Sequence, residues 1–89
     1  MKIKVELFGA CREFSKNNLI ELQVNNHSKI KDIRIEMMKY LDRNFNGNEN
    51  YKKIVNSSAF CSEDNNIVSD NYKITRNEKI AIIPPIGGG

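Results

Sequence analysis

The apolar residues of this chain pass from a strand period to a helix period and back, and that order limits what it can fold into. Ile3, Val5 and Leu7 alternate with Lys2, Lys4 and Glu6, and Ile20, Leu22 and Val24 alternate with Glu21 and Gln23. A period of two belongs to a strand with one face buried and the other in water. From Ile30 the spacing becomes three and four. Ile33, Met37, Leu41 and Phe45 continue that stripe, with Lys31, Arg34, Lys39 and Asp42 mostly off it, as on an amphipathic helix. Ser28 reads as the helix N-cap. Asn44, Asn46, Gly47 and Asn48 read as its stop, because asparagine and glycine accept left-handed backbone. Ile35 and Met38 flank the stripe and predict a wide buried face.

The stretch from Gly9 to Asn18 is short and polar toward its end. It reads as a hairpin loop that makes the first two strands antiparallel neighbours. Beyond the helix, Tyr51-Lys52-Lys53-Ile54-Val55 suits a short helix or a strand. Ser58-Ala59-Phe60-Cys61 reads as a short strand, Ser62 to Asn66 as a turn, and Ile67-Val68 as a strand remnant. Tyr72 and Ile74 read as loop residues anchored in the core, and Arg76-Asn77-Glu78 as a turn. Lys79-Ile80-Ala81-Ile82-Ile83 is the final strand, stopped by Pro84-Pro85.

An 89-residue chain has room for one modest core. The order strand, strand, helix, strands then fits an α+β fold: a mixed sheet with one main helix packed on one face. The first and last strands pair as parallel central neighbours. This is the β-grasp, or ubiquitin-like, arrangement, expected over residues 1–83, with an extended glycine tail over 84–89.

Composition narrows the function classes. Apolar residues make up 39% and charged residues 28%, a balance that suits a folded domain. The net charge of +3 is mild, and pairs such as Arg12-Glu13 and Lys31-Asp32 mix the signs. Without a basic block, no nucleic-acid partner is expected. The longest uncharged apolar run, Ile80 to Gly87, is too short to span a membrane, and Met1 to Val5 lacks the apolar core of a secretory signal. A cytoplasmic location without a membrane partner is therefore expected. Cys11 and Cys61 have no CxxC or histidine spacing and sit beside apolar or small residues, so they read as buried free thiols. His27, in Asn25-Asn26-His27-Ser28, reads as a turn residue, and no metal site is expected. HExxH, GxSxG, GxGxxG and P-loop patterns are all missing.

The final strand places Ile80 and Ile82 on one side and Ala81 and Ile83 on the other. Only one side can lie under the helix, and the other should be polar where it meets water. Ala81 and Ile83, joined by Phe8, instead form an apolar patch beside the tail. The patch is either a docking surface or a face covered by residues 47–57. Past it, Pro84 and Pro85 hold the tail's base extended, and Ile86-Gly87-Gly88-Gly89 strips its tip of side chains. A narrow channel can admit such a backbone, and the residues from Pro85 onward reach about 16–18 Å when extended. A terminal carboxylate, with a pKa near roughly 3.5, is ionised at neutral pH. Attack on the α-phosphate of ATP would give an acyl-adenylate open to sulfide, thiol or amine.

Two segments resemble the small, sulfur-carrying subunit of molybdopterin synthase. Leu7-Phe8-Gly9-Ala10-Cys11-Arg12-Glu13-Phe14 is similar to that family's Phe-x-x-x-Arg-Glu segment. Asn77 to Gly89, ending Pro84-Pro85-Ile86-Gly87-Gly88-Gly89, is similar to its strand, Pro-Pro and Gly-Gly terminus. The glycine before the Gly-Gly pair departs from that pattern, as does Cys61-Ser62-Glu63-Asp64 after the third strand. The Pro-Pro element resembles this branch more than the thiamine-pathway carrier. The resemblance implies that an E1-like enzyme uses ATP to adenylate Gly89 and that a sulfur donor converts it to a thiocarboxylate. The tail then enters the large synthase subunit, usually in a heterotetramer, and passes sulfur to a cyclic pyranopterin precursor. Gly88 and Gly89 are implied as the reactive pair, and Phe8, Ile83, Pro84, Pro85, Ile86 and Gly87 as partner contacts. No resident cofactor and no catalytic centre within the chain are implied. The alternatives are a modifier whose Gly89 forms isopeptide bonds, a carrier for thiamine or tRNA thiolation, and a β-grasp interaction module.

Overall fold

Five strands form one mixed sheet in the order β2-β1-β5-β3-β4 in the computed structural model, which describes residues 1–85. The strands are β1 (Lys2–Leu7), β2 (Leu19–Gln23), β3 (Ala59–Cys61), β4 (Ile67–Val68) and β5 (Glu78–Ile83). β1 and β2 are antiparallel, with Val5 opposite Ile20, as the two alternating runs predicted. β1 and β5 lie parallel at the centre, Val5 beside Ile80 and Leu7 beside Ile82. Phe60 of β3 pairs with Ile82 and, on its other side, with Val68 of β4. Leu7, Ile82, Phe60 and Val68 thus form one apolar row across four strands.

Helix α1 (Ile30–Phe45) lies over that row. Its stripe of Ile30, Ile33, Met37 and Leu41 is wholly removed from water. Burial of each such side chain stabilises the fold by about 1.5–3 kcal/mol. The buried face is narrower than expected, since Ile35 is 53% exposed and Met38 only partly buried. Asn46 and Gly47 end α1 with φ of 53° and 67°, and Gly47 N–H donates to the Leu41 carbonyl at 3.1 Å. Ser28 is not the cap. Its hydroxyl donates to the Asn25 carbonyl at 2.7 Å, and Lys29 holds the cap position, donating its N–H to the Asp32 carboxylate at 2.9 Å. The carbonyls of Tyr72 and Asp70 take two more N–H groups of the first turn, each at 3.1 Å. That docks the β4–β5 loop on α1 and buries Ile74, as its anchoring role predicted.

Two connections differ from the expected ones. The β1–β2 link contains a 3₁₀ helix, Gly9–Phe14, rather than a plain hairpin loop. It turns Cys11 and Phe14 into the core, and the Phe14 carbonyl accepts from the Tyr40 hydroxyl at 2.6 Å. The ambiguous Tyr51–Val55 run lies in a second helix, α2 (Glu49–Ser57), with Asn48 accepting from Tyr51 N–H at 3.1 Å as its cap. Tyr51 sits between Phe14 and Phe45, with ring centres 5.1 and 5.2 Å away, and Val55 is fully buried in the core. Glu78 opens β5 instead of ending the preceding turn; its carboxylate accepts from Glu63 N–H at 3.3 Å.

Candidate functional site

Parallel pairing makes β1 and β5 leave the sheet at the same end. Leu7 and Ile82 are the last core pair, and extending the register by one residue places Phe8 beside Ile83. Phe8 keeps an extended backbone, with φ −124° and ψ 156°, so its side chain stays in the strand alternation, opposite Leu7. Phe8 and Ile83 are 36% and 37% exposed, in contrast to the fully buried Leu7 and Ile82. Alternation at the two strand ends therefore divides inward anchors from outward contacts.

The open face continues across the sheet. Ala59 lies opposite Ile83, and Cys61 lies opposite Ala81 on one side and Ile67 on the other. Ile67 is 76% exposed, Ala81 and Ala59 are half-buried, and Cys61 is buried. Lys2, Lys4, Glu21 and Lys79 occupy the opposite end of this face. The face is thus polar away from the tail and largely apolar beside it, where Glu6 is the charged neighbour of Ala81. Residues 47–57 do not cover it, because α2 packs with α1 and the 3₁₀ helix on the core side. The reading in which that segment covers Ala81 and Ile83 is overturned by this placement.

The structure therefore brings Phe8, Ala81 and Ile83 to one surface and puts half-buried Pro84 and exposed Pro85 directly after it. Ile86, Gly87, Gly88 and Gly89 lie outside the described residues. Sequence alone missed Ala59, Cys61 and Ile67, whose part in the patch becomes legible only once the β3–β5 and β3–β4 registers are known.

Other side chains considered from the sequence stand elsewhere. Both cysteines are buried free thiols, as their apolar neighbours predicted. Cys11 Sγ lies 3.9 Å from Ser58 Oγ, and burial pushes its pKa above the ordinary 9.0, partly opposed by that contact. His27 occupies a turn with φ of 66°. Among the described residues, no group of three His, Cys, Asp or Glu side chains could hold a metal ion, and no helix is long and apolar enough to cross a membrane.

No family model matches the sequence, and no curated protein is significantly similar to it. Solved structures do resemble the fold. A putative molybdopterin converting factor subunit 1 from Pyrococcus furiosus superposes with a TM-score of 0.71 at 16% identity, covering 97% of this chain and 99% of its own. SAMP1 from Haloferax volcanii gives 0.69 at 13% identity over the whole of both chains. A chain from the complex of subunits 1 and 2 of molybdopterin-converting factor from Helicobacter pylori gives 0.63 at 18% identity, again over both whole chains. At these identities the likeness is one of fold, and the fold is the ubiquitin-like β-grasp.

Proposed function

We propose that this domain carries sulfur on Gly89 as the small subunit of a molybdopterin synthase. The observation that carries the reading is the shared exit of β1 and β5. It delivers Ile83-Pro84-Pro85 to one end of the sheet beside an uncovered apolar patch. The domain would dock through Phe8, Ala81 and Ile83 while the segment from Pro84 onward enters a partner. The glycines supply a backbone thin enough for a narrow channel.

In this reading an adenylating enzyme binds ATP, and a Gly89 carboxylate oxygen attacks the α-phosphorus. Pyrophosphate leaves and an acyl-adenylate forms. A sulfur donor then displaces AMP to give the thiocarboxylate, which passes sulfur to a pyranopterin precursor in the large subunit's site. The protein contributes presentation and docking, and the catalytic groups belong to its partners. Consumption of ATP fits a cytoplasmic setting. The Helicobacter pylori complex of subunits 1 and 2 supports a large-subunit partner. A second reading, a protein modifier that joins Gly89 to lysines, is supported by the likeness to SAMP1 and to a Caldiarchaeum subterraneum ubiquitin.

Top-down mass spectrometry of the protein taken from cells tests both. A gain equal to oxygen-for-sulfur exchange, localised to Gly89, is the expected result. Localisation separates it from oxidation of Met1, Met37 or Met38, which has nearly the same nominal mass. Isopeptide adducts to target lysines would favour the modifier, and an unaltered Gly89 in cells making molybdopterin would overturn the carrier.

A further inference from the structure

Gly9 begins the 3₁₀ helix with φ of +54°, where the chain turns out of β1. A Cβ placed on it would lie 2.9 Å from Pro84 Cγ and 3.5 Å from Pro84 Cδ. Non-bonded carbons settle at about 3.5–4.0 Å, so the first approach is a clash. The proline ring is closed onto its own backbone nitrogen, so its Cγ can yield only by a change of pucker and not by rotating away.

Backbone conformation alone does not demand glycine here. Asn18, His27, Asn46 and Asn65 all adopt φ between 53° and 66° in this same chain. An asparagine could therefore serve the turn at Gly9. What no side chain can serve is the contact with Pro84. Gly47 provides the contrast: its φ is +67°, but a Cβ there would meet only the Asp42 carboxylate at 3.0 Å and the end of Lys52 at 3.5 Å. Both are ends of flexible side chains.

The geometry points to Gly9 as a positioning residue, the seat on which Pro84 rests. Closing the Pro84 ring onto a bare Cα fixes the direction in which the chain beyond Ile83 leaves the sheet. It thereby sets how Gly89 is presented to an adenylating enzyme, a last step that rests on the carrier reading above. The Phe-Gly step after β1 and the Pro-Pro step after β5 act as one device, although 75 positions separate Gly9 from Pro84 in sequence.

Gly9→Asn and Gly47→Asn make a matched pair, since asparagine accepts the left-handed turn at both sites while adding a Cβ. Two readouts are compared: ATP–pyrophosphate exchange by the cognate adenylating enzyme, and the Ile83 and Ile86 amide resonances. Gly9→Asn should raise KM for the carrier about tenfold with kcat within about twofold, and move both resonances. Gly47→Asn should leave KM and both resonances at wild-type values. Pro84→Ala empties the seat from the other side and should raise KM in the same way, which keeps the test open if Gly9→Asn fails to fold. Wild-type KM and unmoved amides in Gly9→Asn, or an equal change in Gly47→Asn, would overturn the seat. If the wild-type protein drives no exchange, the carrier reading falls and the amide resonances alone decide the role of Gly9.

Discussion

The Arg34 guanidinium lies 4.9 Å from the centre of the Phe60 ring, joining α1 to the middle of β3. The same group donates from Nη1 to the Val55 carbonyl of α2 at 2.6 Å and from Nε to Asp70 Oδ1 at 3.0 Å. One side chain therefore ties α1 to α2, to β3 and to the β4–β5 loop. Only 17% of it is exposed, although its place in the sequence lies off the apolar stripe of α1. An isolated surface ion pair is worth little. This one differs because its cation also serves a main-chain carbonyl and an aromatic face.

Replacing Arg34 by methionine should destabilise the fold by about 1.5–3 kcal/mol, the range for hydrogen bonds to charged groups. Methionine retains much of the apolar stem, so the loss reports on the polar head. Arg34→Lys should recover only part of it, because a point charge lacks the planar fork that meets Val55 and Asp70 together. Urea unfolding of the three proteins measures both. A loss below about 0.5 kcal/mol for Arg34→Met would reduce the cluster to an ordinary surface pair.

Stability should decline in alkali. Burial raises the Cys11 pKa above 9.0, and burial also raises Tyr40 above its ordinary 10.0. A group whose folded pKa is raised holds its proton longer in the native state than in the unfolded one. Its contribution is thus complete below the unfolded pKa and is lost as pH rises through the folded value. The thiol has the lower ordinary pKa of the two, so the decline should begin near pH 9.0. Urea midpoints measured from about pH 8 to about pH 10 should fall for the wild type and less steeply for Cys11→Ala. Equal slopes would show that the thiol does not contribute.

The order of the elements made the parallel pairing of β1 with β5 legible, and periodicity did so for β1, β2 and the α1 stripe. Each repeats a local signal over several residues. Three classes of feature were not. The 3₁₀ helix that turns Phe14 into the core spans only six residues, too few turns for an apolar period to show, although the burial of Cys11 was legible from its neighbours. Arg34 is structural because of Phe60, Val55 and Asp70, partners distant in sequence. Ile67, in a strand of two residues, joins the patch only through Cys61. Phe8, Ala81 and Ile83 could be read because alternation in strong strands fixes their side, and a second helix replaced the ambiguous middle.

The patch makes a prediction about affinity that is separate from stability. Phe8 and Ile83 remain more than a third exposed, so shortening them removes little core contact. Phe8→Ser and Ile83→Thr should each lower the unfolding free energy by about 1 kcal/mol or less. At the centre of an interface the same changes should weaken binding to a large synthase subunit by about tenfold or more, read by calorimetric titration. Ile67→Thr measures the extent of the surface, because Ile67 lies two strands away from β5 on the same face. A full effect there would extend docking across β3 and β4, and no effect would confine it to the ends of β1 and β5. Unchanged binding in all three variants would exclude the face as the docking surface.

Deleting Gly89 separates a chemical tail from a purely adhesive domain. Every described core residue precedes Pro84, so the deletion should leave the melting temperature within about 2–4 °C, given that surface changes away from core features fall within ±0.5 kcal/mol. The patch also remains, and affinity for the large subunit should persist insofar as Phe8 and Ile83 supply it. The carboxylate is then carried by Gly88, one residue short, and the displacement along an extended chain is about 3.3–3.6 Å. Displacements of about 1 Å at a reacting centre can cost a hundredfold in rate, so adenylation should fall by at least that factor. The expected pattern is intact folding, retained docking and lost ATP–pyrophosphate exchange. A shortened protein that still supports molybdopterin formation in cells would instead leave the domain as an interaction module with no reactive terminus.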